Sequence, residues 1–395
     1  MPATQPMSGA TKQSGGYSRT RRTFWVAALL AAAIAGAYAV FAATRGATGE
    51  AELPSISRAP VAARDDLVPV GEQAGVTLEL VNGTLERFPP SPDTASERLS
   101  ALATLGVVLR EPDAAERADV QRFFQRRIEA ALADMRRTVV DSGAIVWKIY
   151  NHGFVVRTAS VTLCFDLVRP KYLPGFALSE QLMRSIVEQC DVLFASHAHA
   201  DHVESFVART FMEQRKPVVA PDQIGFRGAL EAWVTRPERS ADKVHSLQVR
   251  DGRAQLRMVI FPGHQGSEID NNVALVTTPE GIAIAHTGDQ SDRFGDFSWI
   301  DRVAERHRVD ILLPNDWTWN IARMVRGFDP ALVIPGHEYE LGHDVEKRQS
   351  FALSFERRAG ADHFGGTIRR GYPQPLVVMA WGERYHYRPQ ARNSR

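Results

Sequence analysis

The sequence is poor in several features that would reveal a class at once. It has two cysteines in 395 residues, Cys164 and Cys190. Both lie in or beside apolar strand-like runs, so buried free thiols are expected rather than metal ligands. A disulfide between them stays open, because nothing in the sequence brings them together. Charge of one sign is also lacking. Lys and Arg number 47 against 46 Asp and Glu, a formal net charge of +1, which speaks against a nucleic-acid surface. No internal repeat or low-complexity tract occurs beyond the N-terminal region, so the chain is not an array. With 44% hydrophobic and 24% charged residues, what remains is ordinary globular composition. The length suits one large domain with additions.

One long apolar run does occur, near the start. Phe24 to Ala43 carry no charge, and the basic stretch 1–23 with Lys12, Arg19, Arg21 and Arg22 precedes them. Twenty such residues can span a bilayer, and the flanking cations favour an N-terminus inside and the rest outside. Arg21-Arg22 also resembles a twin-arginine export signal, with Ala37-Tyr38-Ala39 as a small-residue cleavage site. The chain is therefore expected outside the cytoplasm, periplasmic or anchored to the outer face of the cytoplasmic membrane if 24–43 is not cleaved.

Residues 44–75 scatter Pro, Gly and charge and read as a linker. Val76 to Phe88 alternate around Asn82-Gly83, which predicts a hairpin. Thr94-Ala95-Ser96-Glu97 reads as a capping box opening a helix that stops near Gly106. A longer helix is expected from about Asp113 to Arg137. Val120, Phe123, Phe124, Ile128, Ala131, Leu132 and Met135 line one face of it, which suits packing against the main domain. Residues 76–142 thus form a hairpin plus helical extension.

From Ala144 onward the texture is that of strands. Runs at 144–150, 154–157 and 161–166 suggest an antiparallel meander, with His152 in its first turn and Asp166 at its end. Val192 to Ala195 read as a buried strand. It leads into Ser196-His197-Ala198-His199-Ala200-Asp201-His202, and a helix from about Val203 to Gln214 follows. Four further apolar strands deliver polar residues at their C-terminal ends: 254–261 before His264, 281–285 before His286-Thr287-Gly288-Asp289, 311–313 before Asn315-Asp316-Trp317, and 331–334 before His337. Open α/β folds place their sites at such ends. A closing hairpin is expected from 375–380 and 384–388, and 390–395 form a tail.

Imidazole and carboxylate ligands together suit a catalytic metal more than a structural one. The run His197-Ala198-His199-Ala200-Asp201-His202 resembles the H-x-H-x-D-H signature of the metallo-β-lactamase superfamily, mostly binuclear metallohydrolases. The resemblance spans residues 143–389. It implies an αββα sandwich of two mixed β-sheets flanked by helices, preceded here by the membrane or signal segment and the small N-terminal extension. Residue by residue, it implies one metal on His197, His199 and His264 and a second on Asp201, His202 and His337, bridged by Asp289. His199 stands where a redox di-iron branch would carry Glu, so two zinc ions are favoured, with iron or manganese open. Asp201 and Asp289 are then ligands that could also relay a proton.

Asn151-His152-Gly153 is similar to the Gly-His-Ala turn of the ascorbate-6-phosphate lactonase-like branch. Asp166 is the candidate for holding the second nitrogen of a ligand imidazole, with a plain turn residue as the alternative. His286 reads as a packed strand-end residue. His343 and Tyr339 are candidates for substrate contact or support, and Trp317 and Trp319 for an aromatic wall. His245, His307, His363 and His386 read as ordinary.

The resulting expectation is a hydrolase that uses a metal-bridging hydroxide on a lactone or other carboxylic ester. The alternatives are a phosphodiesterase similar to N-acyl-phosphatidylethanolamine phospholipase D and a non-catalytic envelope scaffold that binds metal. The expected partner is a small ester or phosphodiester, with no nucleic acid. Oligomeric state is not legible.

Overall fold

Helix periodicity rather than strand alternation governs the first part of the chain. The structure, a computed structural model, describes residues 70–389 apart from 227, 292–294, 319, 361–362, 365–366 and 369–370. The expected leader 24–43, most of the linker, the tail 390–395 and Trp319 lie outside the described residues. Among the described residues no helix is long and apolar enough to cross a membrane.

Helix α1 (Val70–Arg87) takes the place of the expected hairpin and of the end of the linker. The alternation Val76, Leu78, Leu80 suggests a strand, but Val76 and Leu80 are 61% and 70% exposed, while Leu78, Val81 and Leu85 are buried. That three-and-four spacing is helical. Asn82 donates to Glu86 at 2.8 Å one turn on and accepts from Arg127 at 2.6 Å. Tertiary packing thus overrides the turn preference of Asn-Gly.

Helix α2 (Ser96–Leu109) begins after Ala95, which has no side-chain cap. The expected capping box is not formed: the N-cap is Ala95 rather than Thr94, and Thr94 Oγ1 donates back to the Ser91 carbonyl at 3.0 Å. The helix runs past Gly106, where a Cβ would meet the Tyr339 ring. Gly106 is a point of close packing, not a stop signal. Helix α3 (Ala118–Arg137) starts five residues later than expected and buries the anticipated face. Its Phe124 stacks on Phe176 at 4.7 Å and meets Trp381 edge-on at 5.2 Å, so this face packs on the main domain.

Two mixed sheets follow. In the first, β1 (Ala144–Lys148), β2 (Phe154–Arg157) and β3 (Thr162–Phe165) form the expected meander. Helix α4 (Glu180–Glu188) leads to β4 (Val192–Phe194), parallel to β3. Helix α5 (Ser205–Glu213), β5 (Val218–Val219) and β6 (Val234–Thr235) complete that side. The second sheet contains β7 (His245–Val249), β8 (Ala254–Gln265), β9 (Ile269–Thr277) and β10 (Ala283–His286). After the one-turn helices α6 (Phe297–Ile300) and α7 (Val303–Arg306), β11 (Ile311–Leu313), helix α8 (Ile321–Phe328) and β12 (Leu332–Val333) finish it. Helix α9 (Phe351–Ala359), the short pair β13 (His363–Phe364) and β14 (Thr367–Ile368), and β15 (Arg384–Tyr387) close the chain. The sheet orders are β15-β1-β2-β3-β4-β5-β6 and β12-β11-β10-β9-β8-β7.

Period-two burial makes the layers. Val146, Val156, Leu163, Ile260, Val276 and Leu313 belong to the core between the sheets, while Trp147, Val155, Cys164, Phe261, Leu275 and Leu312 belong to the core shared with the helices. Alternate residues of a strand face opposite ways, so two sheets flanked by helices satisfy both sets.

Two expectations at the strand level are corrected. The closing hairpin is absent: β15 pairs antiparallel with β1, and among the described residues the backbone of 375–380 pairs with a strand only through the Val333–Leu376 bridge. Those residues still alternate between the two cores, which explains the misleading pattern. Cys164 and Cys190 are joined in a disulfide with Cα atoms 6.3 Å apart, not free thiols. Cys164 lies on β3 and Cys190 just before β4, and the parallel pairing of these strands brings the two sulfurs to the helix-facing side.

Candidate metal centre

The site is built where strands end. The carboxylate of Asp166, after β3, accepts from the Ser196 backbone N–H at 2.7 Å and from Ser196 Oγ at 2.6 Å. It lies 2.7 Å from His202 Nδ1. Ser196 Oγ is in turn 2.9 Å from His197 Nδ1. With each Nδ1–H donated to these oxygens, the Nε2 lone pairs of His197 and His202 face the opposite way, toward the centre. Burial pushes the Asp166 carboxyl up, but His286 and His202 beside it hold it below its ordinary value. Asp166 is thus the residue that orients His202.

Two clusters converge on the far side of those rings and share Asp289. Asp201, His202, Asp289 and His337 form one, and His197, His199 and Asp289 the other, each with ligand atoms within 4.8 Å of one another. Asp289 Oδ1 lies 3.0 Å from His202 Nε2 and 3.7 Å from His337 Nε2, and Oδ2 lies 3.7 Å from His197 Nε2. Asp201 Oδ2 is 3.2 Å from His202 Nε2 and 3.3 Å from His337 Nε2. Each oxygen of Asp289 therefore addresses a different cluster.

This arrangement fits divalent cations on two grounds. The Nε2 atoms of His197, His202 and His337 are buried and have no hydrogen-bond partner among the described residues. Buried nitrogens facing carboxylates without hydrogen bonds are costly unless something else binds them. The charge balance agrees. Burial raises the Asp201 carboxyl, yet His202 and His337 overcome this and hold it well below its ordinary value. Burial lowers the His202 imidazole, yet Asp289, Asp201 and Asp166 overcome this and raise it. His197, with less carboxylate around it, is pushed down to about 3 by burial and by His202. Three carboxylates around buried rings call for positive charge, and imidazole with carboxylate suits zinc-type ions.

His264 is not gathered into either cluster. Strand β8 runs on to Gln265 rather than ending at 261. Beyond Met258 it has lost its β7 partner, so Pro262 sits on an edge where its missing N–H is tolerated. His264 Nδ1 meets Asp296 at 3.1 Å, and Gln265 Nε2 reaches Asp289 Oδ2 at 2.7 Å. Successive strand residues point to opposite faces, which gives the two side chains different neighbours.

Other residues position the centre, and of these only the strand-end place of Asn315 was expected. Asn315, after β11, donates through Nδ2 to Asp289 Oδ1. Asn271 Oδ1 accepts from the Asp289 backbone N–H at 3.1 Å, and its Nδ2 donates to the Thr287 carbonyl at 2.8 Å. The polar pair Asn271-Asn272 inside an apolar strand is the signal that marks it. Asp296 follows a stretch without periodicity, and nothing local marks it. Gly288 has φ +50°, and a Cβ there would lie 2.5 Å from the Ser196 Cβ; the strand-end loops meet too closely for any side chain.

The other expected residues divide. His152 and His286 are buried rings 4.1 Å apart behind Asp166, and burial holds both imidazoles below their ordinary value. His286 packs on Phe165 at 5.1 Å, as expected of a strand-end residue. Trp317 stacks on His337 at 6.0 Å and on His343 at 5.1 Å, so these rings form a wall beside one cluster. Tyr339 is not at the centre. Its ring turns away onto Phe351 at 5.0 Å, and burial pushes its hydroxyl up to about 12.

No family model and no curated protein matches the chain. Solved structures with a similar fold include a metallo hydrolase from Ignicoccus hospitalis, 14% identical, with TM-score 0.43 over 63% of this chain and 100% of that one. Isothiocyanate hydrolase from Delia radicum gut bacteria is 12% identical, with TM-score 0.43 over 62% and 98%. The diiron beta-hydroxylase CmlA from Streptomyces venezuelae is 13% identical, with TM-score 0.39 over 63% and 55%. Likeness at this level does not say what the chain does.

Proposed function

We propose that this chain is a hydrolase that holds two divalent cations, zinc by preference over iron or manganese, and cleaves a lactone or other carboxylic ester. One observation carries the reading: the two oxygens of Asp289 face two clusters, and the Nε2 atoms of His197 in one and of His202 and His337 in the other are buried and unpartnered among the described residues. His197 and His199 would hold one ion, with His264 at the rim of that side, and Asp201, His202 and His337 the other. Two such ions lower the pKa of a shared water and stabilise negative charge developing on the attacked oxygen.

The chain's own residues do the rest. Asn315 and Gln265 fix the Asp289 carboxylate, and Asn151 Nδ2 donates to Asp201 Oδ2 at 3.0 Å. In the reaction the acyl carbon gains a water oxygen, the ester C–O bond breaks, and the leaving oxygen takes up a proton. Asp201, which is only half-buried, is placed to pass that proton on. His199, Gln265, Trp317 and His343 touch the clusters from the exposed side. They offer rings and an amide rather than a cation, which favours a neutral ester over an anionic phosphodiester.

The expected leader and the buried Cys164–Cys190 disulfide support export, since such bonds persist in oxidising compartments. A periplasmic reporter fused after Ala43 should be active, and a silent fusion would remove this part of the reading.

The test of function compares zinc-loaded protein on lactones and aryl esters with bis-aryl phosphate diesters. Ester turnover should dominate, and Asp289→Asn should lower it by more than about 100-fold. Preferential diester turnover would replace the substrate class. Turnover unchanged in Asp289→Asn would remove the two-ion reading.

A further inference from the structure

The imidazoles of the centre are not all held alike. His197 Nδ1 rests on Ser196 Oγ, His202 Nδ1 on Asp166 and His264 Nδ1 on Asp296. His337 has no such support: its Nδ1 is buried and without a hydrogen-bond partner among the described residues. Its backbone is also in the left-handed region, φ +78°, which is unusual for a residue other than glycine. A ligand ring usually has its second nitrogen anchored, so something else must hold this one.

The segments that carry His337 and its stacking partner Trp317 lead into four buried charges. Glu338, the next residue, is ion-paired with Lys148 at the end of β1, and neither side chain is exposed. Lys148 Nζ also lies 3.3 Å from the Pro335 carbonyl oxygen on the strand-end loop that carries His337. Trp317, which stacks on His337 with planes 11° apart, follows Asp316. That buried carboxylate accepts from Ser354 Oγ and lies 3.8 Å from the Arg357 guanidinium, both on α9. Arg357 also donates to the Asp316 carbonyl. Two cations and two carboxylates thus join β1, the loops after β11 and β12, and α9.

Buried ion pairs contribute little to stability compared with apolar residues of the same shape. Their effect here is on position. We propose that Lys148, Glu338, Asp316 and Arg357 form a positioning network. It sets His337 and Trp317 for the ion held by Asp201, His202 and His337, in place of the missing Nδ1 hydrogen bond. The inference rests on the two-ion reading.

The test is zinc binding by the full chain, measured by chelator competition, with thermal unfolding of the metal-free protein alongside. Lys148→Met leaves Glu338 buried and unpaired, so Lys148→Met/Glu338→Gln is made as well; Asp316→Asn, which preserves shape, perturbs the network independently should the Lys148 variants not fold. Each should weaken one zinc site by about 10–100-fold and leave the other at its parental affinity. Cobalt-loaded protein should show a changed visible spectrum for the weakened site alone. Two parental zinc affinities in a folded double variant would overturn the network. Equal weakening of both sites in step with a lowered unfolding temperature would overturn it too. A parent chain that binds no zinc would remove the two-ion reading itself, and the network with it.

Discussion

The two halves of the centre differ in how they meet water. On the side of His197 and His199, His199 is partly exposed, and His264 at the rim keeps 32% of its side chain accessible. On the other side His202 and His337 are buried, and only Asp201 reaches the surface in part. The exposed half is held by one hydroxyl and one rim carboxylate. The buried half relies on a fully buried carboxylate and on the charges behind His337. An ion in a low-dielectric setting feels its ligands more strongly. The buried half should therefore retain its ion, while the exposed half exchanges ligands and admits substrate.

Four measurements sharpen or break that contrast. The largest effect is expected below both halves. Replacing Cys164 and Cys190 with Ala should lower stability by about 2–5 kcal/mol, read by denaturant unfolding, with the two metal affinities changed alike. Unequal loss would mean that the disulfide serves one half only. Next, Asp166→Asn should weaken the buried-half ion by about 10–100-fold, on the order of 1.4–2.7 kcal/mol, in zinc competition.

A pH titration of metal-free stability comes third. The His152 and His286 imidazoles sit below the ordinary value of 6.5 when folded, chiefly through burial. They stay neutral in the fold while the unfolded chain takes up protons. Stability is therefore present above that value and falls as pH drops below it, each ring adding about 1.4 kcal/mol per pH unit until its folded pKa is reached. His286→Asn should flatten the slope, and an unchanged slope would mean that these rings are not held neutral. The smallest effect is expected from Asp296→Asn, less than about tenfold in zinc affinity, because its His264 already meets solvent. A larger loss here than for Asp166→Asn would reverse the contrast.

Much of this centre was legible in the sequence because strand ends and ligand chemistry are both local. Asp289 and His337 each come a few residues after an apolar run, so their place at a strand end is readable locally. For Asp166 the strand-end position was legible, while its contact with His202 was one of two readings left open. His264 shows the limit: the residue is visible, but β8 runs past it because it stays paired with β9 as far as Gln265, and residue types alone do not show where that hairpin turns. Tyr339 was misplaced because a left-handed backbone at φ +50° turns its ring away from the neighbouring His337. The hairpin expected at Asn82-Gly83 failed because burial against α3 selects the helical set Leu78, Val81 and Leu85 over the alternating one. The disulfide was illegible because it depends on which strands become neighbours.

Arg98 has a consequence for how the chain comes to be finished. Its guanidinium, buried in α2, donates to Glu383 at 2.8 Å and to the Val378 carbonyl at 2.8 Å, partners 285 and 280 residues further on. During synthesis α2 therefore carries a charge that it cannot pair in this way until Glu383 has emerged. Loop closure over such a span is entropically costly and slow. Docking of β15 onto β1 brings Glu383 to Arg98, so the early helix buries its charge only once distant parts of the chain have met.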